Sequence, residues 1–176
     1  MKPPGDEVSM ELEVSVEVGS ILPSLDGLED QRGRPLNWRD MRRNRTVLFA
    51  HPGTCASCAS YGTQLIALRD RFALWDGDVW LVGDSVARLA EHTSDDQVRI
   101  ASDPTRRAHQ RCRLPQQHAA VVVADRWGQI WQIAISGDNH ALPDPTDLCV
   151  TTQFIAVQCP ECDTLDQPVS DWSAAR

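Results

Sequence analysis

The sequence has no long apolar run. No stretch of its 176 residues approaches the ~20 consecutive apolar residues that are needed to span a bilayer. No apolar segment follows the N-terminal residues Met1 to Glu7, as the core of a signal peptide would. We therefore expect a cytoplasmic protein without a membrane partner, in a compartment where disulfides seldom have a structural role.

Positive charge is scarce as well. The chain has 17 Lys and Arg against 25 Asp and Glu, which gives a net charge of -8 at pH 7. An acidic surface repels phosphate backbones, so we expect no nucleic-acid partner. We find neither an internal repeat nor a linker long enough to divide the chain. The sequence predicts a disordered tail over residues 1–9, one domain over residues 10–162 and a polar tail over residues 163–176, and it leaves the oligomeric state open.

The apolar pattern predicts an α/β protein. Residues 10 to 18 alternate between apolar and acidic or polar side chains, which is typical of a half-buried strand. The apolar run Thr46 to Ala50 predicts a strand buried on both faces, and the spacing of Tyr61, Leu65, Leu68 and Phe72 predicts a helix after it. The elements predicted next are strand 79–82, a helix capped by Ser85 and ending near His92, strand 98–100, a helix from Asp103 to Cys112, strand 119–124, a turn at 125–128, strand 130–135, and a last helix from Pro145 to about Pro160 that buries Leu148, Ile155 and Val157.

Two cysteines stand at the start of the first predicted helix. Cys55 and Cys58 form a C-x-x-C pair directly after a buried strand and a tight turn. The first turn of a helix has unpaired N–H groups and a partial positive charge, both of which stabilise a thiolate. The thiolate is the nucleophile in disulfide exchange. We therefore predict that Cys55 is the exposed nucleophile and that Cys58, almost one turn away, is the more buried resolving thiol.

Three residues of the turn before Cys55 are candidates for supporting the site: His51, Pro52 and Thr54. His51 is a candidate base or thiolate-stabilising group, and a turn histidine bonded to the backbone is the equally weighted alternative. His92, His109 and His140 are interpreted as surface or loop residues. Cys112 and Cys149 are interpreted as small buried hydrophobic residues.

The order of strand, helix, strand, helix, hairpin and helix resembles a thioredoxin-like three-layer α/β/α sandwich, here with an N-terminal strand and hairpin extension. The segment from Phe49 to Cys58, FAHPGTCASC, resembles the active-site segment of that superfamily. The fuller resemblance, over residues 17 to 158, is to its alkyl hydroperoxide reductase/thiol-specific antioxidant (peroxiredoxin-like) branch. It rests on the segments Gly19 to Pro23, Gly33 to Leu36, Val47 to Phe49 and Asp125 to Gly128.

That resemblance implies an enzyme with a protein disulfide or hydroperoxide as substrate, a cellular thiol as reductant and no cofactor. The segment from Phe49 to Cys58 departs from both the peroxiredoxin motif and the thioredoxin motif. Aligning Phe49 with the family's aromatic residue puts Cys58 at the peroxide-attacking position and Cys55 where the peroxiredoxin motif has threonine. Thr54 replaces the tryptophan that precedes the first cysteine of thioredoxin. We therefore favour dithiol–disulfide exchange, with a peroxiredoxin-like thiol peroxidase as the alternative.

A second C-x-x-C pair, Cys159 and Cys162, follows the last predicted helix. Its interpretations are an exposed pair at a helix end, a second redox or relay pair, and half of a zinc site. The last of these supports a third hypothesis, a non-enzymatic redox-sensing or metal-binding module. The helix from Pro145 to Cys159 would be about 20 Å long, which places this pair far from Cys55. We expect no metal at Cys55 and Cys58.

Overall fold

The computed structural model describes residues 16–36, 43–93, 96–115, 117–137 and 139–158. The predicted N-terminal tail, the first six residues of the alternating strand, the pair Cys159 and Cys162 and the C-terminal tail lie outside these residues. In the described part of the chain, no helix is long and apolar enough to cross a membrane.

The described residues form a mixed five-stranded sheet with helices and irregular segments on both faces. The strands are β1 (Asn44–Phe49), β2 (Gly77–Val82), β3 (Val98–Ala101), β4 (Ala120–Ala124) and β5 (Ile130–Ile135). The helices are α1 (Ala56–Ala67), α2 (Arg69–Ala73), α3 (Asp84–Ala87), α4 (Arg107–Arg111) and α5 (Pro145–Gln158), and a 3-10 turn covers Arg88–His92. The strand order is β3-β2-β1-β4-β5, with β1, β2 and β3 parallel and with β4 antiparallel to both of its neighbours.

The central strand β1 separates two apolar clusters because its side chains alternate between the faces of the sheet. Leu48 belongs to the cluster that includes α1, α2 and α5 and both cysteines of the first C-x-x-C pair. Val47 and Phe49 belong to the other cluster, which contains α4 and the N-terminal leucines. The chain is thus layered around the sheet, and β1 delivers Cys55 at its carboxyl end.

Helix α1 lies close to its neighbours because residue 62 is glycine. A Cβ at Gly62 would stand 3.0 Å from the Leu89 side chain and 3.3 Å from Val86. The helix ends where Leu68 closes its last turn, and α2 begins one residue later. The single helix predicted from Tyr61 to Phe72 is therefore two helices, although Tyr61, Leu65 and Phe72 are buried as expected.

Several predictions at helix ends are wrong. Ser85 does not cap a helix, because α3 is preceded by Gly83 and has no side-chain cap. The helix expected from Asp103 begins at Arg107, where both carboxylate oxygens of Asp103 accept backbone N–H groups of the first turn. On α5, Leu148 and Ile155 are buried, but Val157 is 55% exposed because it lies on the outer face of the helix.

The N-terminal segment is also less regular than predicted. Val16 is buried while Val18 is 62% exposed, so the two residues do not share one face of a strand. The chain turns at residues 17–20, where the Ser20 N–H donates to the Glu17 carbonyl oxygen and Gly19 adopts a φ of +90°. An antiparallel bridge between Glu29 and Pro35 makes residues 29–35 a short hairpin, in agreement with the hairpin extension expected before β1.

Candidate active site

Cys55 is the N-cap residue of α1. Its backbone is extended, with φ -129° and ψ 107°, and its Sγ accepts a hydrogen bond from the Cys58 N–H at 3.3 Å. An N-cap side chain normally satisfies one of the free N–H groups of the first turn with oxygen. Here sulfur does so, and the bond strengthens when the acceptor carries negative charge. The Cys55 sulfur thus occupies the position at the helix N-terminus towards which the free N–H groups of the first turn point.

Cys58 lies deeper in the apolar cluster. Its Sγ accepts a hydrogen bond from the His51 N–H at 3.3 Å. Burial, aided by the side-chain hydrogen bond with Cys55 and by repulsion from that cysteine, raises the pKa of Cys58 to about 12, although the His51 N–H and the Ser85 hydroxyl oppose the shift. At neutral pH Cys58 is consequently a thiol.

The structure keeps the two cysteines in the predicted order of exposure but buries both. Cys55 is 8% exposed and Cys58 is 2% exposed, and both are free thiols. Cys55 is less accessible than the sequence predicted because His140, from the loop between β5 and α5, lies beside it. The distance from Cys55 Sγ to His140 Nδ1 is 3.9 Å.

The candidate supporting residues differ in their contacts. His51 Nδ1 lies 2.8 Å from the carbonyl oxygen of Pro52, and since a carbonyl only accepts, that nitrogen carries a proton. The His51 and His140 rings meet edge to face with centroids 5.0 Å apart. Thr54 is exposed beside Cys55. Thus the bonded turn histidine anticipated as one interpretation of His51 is also the neighbour of a second histidine.

Two residues near the cysteines were not anticipated as site residues. His140 was interpreted as a loop or surface residue, and Ser85 as a helix cap. The Ser85 hydroxyl instead donates to the carbonyl oxygen of His51 at 3.2 Å. When its single proton turns towards the Cys58 sulfur, it lowers the pKa of that thiol. No local pattern could have indicated either contact, since His140 is 85 residues from Cys55 in the chain.

An open cleft of about 430 Å³ reaches Cys58. Cys58, Ser57 and Tyr61 line it from α1, and His140 and Leu142 line it from the loop after β5. The Tyr61 hydroxyl donates to the carbonyl oxygen of Pro143 at 2.7 Å, which ties this loop to α1. The cleft therefore opens along one side of α1 to Cys58 and to His140, the histidine that lies beside Cys55.

The remaining cysteines lie elsewhere. Cys112 is buried among the apolar residues on the opposite face of the sheet, and Cys149 is buried in α5. Burial raises the pKa of Cys112 to about 12. Within the residues that the structure describes, no three His, Cys, Asp or Glu side chains converge as metal ligands would. The proposed roles of Cys159 and Cys162 remain predictions.

No protein-family model and no curated protein sequence matches this chain. Solved structures do match it. Peroxiredoxin Q from Xanthomonas campestris has a TM-score of 0.60 and 14% identity, with 80% of this chain and 99% of that chain covered. A structure described as a thiol:disulfide interchange protein DsbE from Chlorobium tepidum has a TM-score of 0.60 and 15% identity, with coverage of 81% and 98%.

The protein has a thioredoxin-like fold. Thiol peroxidase from Chromobacterium violaceum has the same architecture, with a TM-score of 0.59 and 16% identity, over 79% of this chain and 87% of that chain. The expected α/β sandwich is thereby confirmed. At these identities the comparisons establish the thioredoxin-like fold, and the chemistry has to be argued from the cysteines and their neighbours.

Proposed function

We propose that the protein is a thiol–disulfide oxidoreductase that uses Cys55 as nucleophile and Cys58 as resolving thiol. The observation that carries the proposal is the position of Cys55 at the N-cap of α1, where the Cys58 N–H donates to its sulfur. The solved structures that share the fold include a thiol:disulfide interchange protein, a peroxiredoxin and a thiol peroxidase, which supports a redox role in general.

The first step is attack of the Cys55 thiolate on a substrate disulfide. A bond forms between Cys55 Sγ and one substrate sulfur, and the other substrate sulfur leaves as a thiolate, which then takes up a proton. Cys58 does not compete for this step because its raised pKa keeps it protonated at neutral pH. The difference between the two thiols thus fixes the order in which they react.

The second step is attack of Cys58 on the mixed disulfide. Two of the causes that raise the pKa of Cys58 come from the Cys55 side chain, through its hydrogen bond and its charge. Both weaken once Cys55 is bonded to the substrate and has lost its negative charge. Cys58 then loses its proton more readily and releases the second substrate thiol, leaving a Cys55–Cys58 disulfide. A cellular thiol reductant, as in the cytoplasm, would reduce this disulfide for the next turnover.

A thiol peroxidase is the second candidate. The alignment with the peroxiredoxin motif assigns peroxide attack to Cys58, and the His51 N–H that donates to its sulfur would stabilise a thiolate there. Against this, Cys58 is 2% exposed and its pKa is raised to about 12. Peroxide reduction requires a thiolate, so the structure favours disulfide exchange begun by Cys55.

The test is thiol trapping followed by mass spectrometry. Fully reduced protein is exposed briefly to substoichiometric hydrogen peroxide and, separately, to a model protein disulfide. We expect the protein disulfide to link Cys55 to Cys58, and the Cys58→Ser variant to accumulate a mixed disulfide at Cys55. Rapid linkage by peroxide with little reaction of the protein disulfide would instead establish the peroxidase. The matched control is Cys112→Ser, which removes a buried cysteine on the opposite face of the sheet and is expected to react like the wild type.

A further inference from the structure

The loop between β5 and α5 brings a histidine to the proposed nucleophile. The ring nitrogen Nδ1 of His140 lies 3.9 Å from the Cys55 sulfur. It also lines the cleft that leads to Cys58. A group at this position touches the reacting sulfur and the space that a substrate would occupy.

The backbone conformation and the hydrogen bonds of this loop fix the position of His140. His140 adopts a φ of +54°, in the left-handed region that non-glycine residues rarely enter. Its N–H donates to the Gly137 carbonyl oxygen at 3.0 Å, and the Asn139 side chain accepts the Ala141 N–H at 3.1 Å. The Tyr61–Pro143 hydrogen bond holds the following residues against α1. The ring is thus held beside Cys55 by bonds on both sides of it.

The protonation of the neighbouring histidine limits what His140 can do. His51 Nδ1 already donates to the Pro52 carbonyl oxygen, so His51 is held in place and its Nδ1 is not available to accept a proton. The two rings are 5.0 Å apart, a distance at which two imidazolium charges would repel each other. Among the residues that the structure describes, His140 Nδ1 meets the Cys55 sulfur and no backbone carbonyl, so it is able to accept the thiol proton.

We propose that His140 is a catalytic acid–base residue that takes the proton from Cys55 and returns it to the departing substrate thiolate. This inference rests on the proposed function. In the first half of the step, the proton of Cys55 Sγ–H moves to His140 Nδ1, giving a thiolate and an imidazolium. In the second half, the thiolate bonds to the substrate sulfur, the substrate disulfide breaks, and the imidazolium proton passes to the sulfur that leaves. No further reactant is needed until the Cys55–Cys58 disulfide is reduced again.

The groups that face this pair come from three elements. Cys58 and Tyr61 face it from α1, His51 faces it from the turn after β1, and the acidic residues near the start of α5, Asp144 and Asp147, interact with Tyr61. Cys58 is protonated at neutral pH because its pKa is raised. Burial, with repulsion from Asp144 and Asp147, raises the pKa of Tyr61, so that its hydroxyl is protonated as well. Neither Cys58 nor Tyr61 therefore competes with His140 for the Cys55 proton at neutral pH.

The first experiment measures alkylation of Cys55 by iodoacetamide as a function of pH, with mass spectrometry to resolve the Cys55 peptide. His140→Asn removes the titrating ring and keeps a residue that tolerates the left-handed backbone. We expect its Cys55 alkylation rate at pH 6.5 to fall about tenfold, the effect of one lost favourable charge contact. The control Ala141→Gly, which loosens the same loop and keeps the ring, is expected to follow the wild-type profile.

The second experiment tests proton return. In His140→Gly, single-turnover reduction of a model protein disulfide should slow about a hundredfold, in the range of general acid–base catalysis, and added imidazole should restore part of the rate. An alkylation profile of His140→Asn that matches the wild type would overturn the inference, as would a His140→Gly variant that imidazole does not rescue.

Two comparisons keep the outcomes separate. If wild-type protein reduces no disulfide, the proposed function fails, while the alkylation profiles still report whether His140 acts on Cys55. If the His140 variants do not fold, NMR titration of the histidines in reduced wild type and in Cys55→Ser replaces them. The His140 imidazole should titrate differently in the two proteins, and identical curves would contradict the inference.

Discussion

The order of reactivity of the two thiols is the most exacting consequence of the structure. The pKa of Cys58 is raised to about 12, so at pH 7 about one molecule in 10⁵ carries the Cys58 thiolate, against about one in 30 for a free cysteine. The ratio of these fractions is about 3000. A more basic thiolate is intrinsically more nucleophilic, and a Brønsted coefficient of ~0.45 recovers about fortyfold of the difference. At pH 7 the Cys58 thiol is therefore expected to react about a hundredfold more slowly than a free cysteine.

The perturbation that isolates Cys58 is Cys55→Ser. Serine still accepts the Cys58 N–H at the helix N-cap, but it removes the charge and the sulfur contact that help to raise the pKa of Cys58. Burial, the largest cause, remains. We therefore expect Cys58 in this variant to be alkylated between about ten and a hundred times more slowly than free cysteine at pH 7.

The assay is iodoacetamide alkylation of the reduced variant from pH 6 to pH 10, with mass spectrometry to quantify the Cys58 peptide. The reciprocal variant, Cys58→Ser, serves as the comparison, and its Cys55 should react faster than Cys58 does in Cys55→Ser at every pH below 9. A Cys58 that reacts as fast as free cysteine and titrates near 8.5 would refute the assignment of Cys58 as resolving thiol.

Three further predictions concern neighbouring groups and stability. In Ser85→Ala, loss of the hydroxyl that favours the Cys58 thiolate should prolong the mixed disulfide several-fold in a stopped-flow trapping assay, and an unchanged lifetime would exclude that role. Because the pKa of Cys112 is raised to about 12 in the folded protein, the folded state keeps this proton at a pH where the unfolded chain has lost it. The free energy of unfolding of the reduced protein, measured in urea, should therefore fall by about 1.4 kcal/mol per pH unit through this thiol as the pH rises from about 9 to about 12. Cys112→Ala should have a slope shallower by that amount, whereas equal slopes would contradict the linkage. Gly77→Ala should destabilise the fold by about 1–3 kcal/mol, because a Cβ there would lie 2.9 Å from both the Phe72 carbonyl oxygen and the Thr152 methyl group. Adding Thr152→Ser should recover part of the loss in thermal unfolding, and a stable Gly77→Ala protein would show that the contact is absent.

The strands were the most predictable part of the fold. Strands β1, β2 and β4 are buried on both faces. A strand of this kind contains consecutive apolar residues, so a short stretch of sequence is enough to predict it. The helix ends were less predictable. Asp103 caps α4 from a position four residues before it, and Gly83 rather than Ser85 precedes α3. A cap depends on the direction from which the chain arrives, and periodicity does not contain that direction.

The sequence by itself determined that a C-x-x-C pair would stand at the N-terminus of a helix after a buried strand, because strand, turn and helix are all encoded within residues 44 to 67. Only the tertiary structure decided what surrounds the two thiols. The sheet order brings the loop after β5 over the start of α1, so that His140 reaches Cys55 from 85 residues away. It likewise brings Ser85, which follows β2, to Cys58. These contacts depend on which strands are neighbours, and that pairing is settled by the packing of the whole sheet, which no short stretch of sequence specifies.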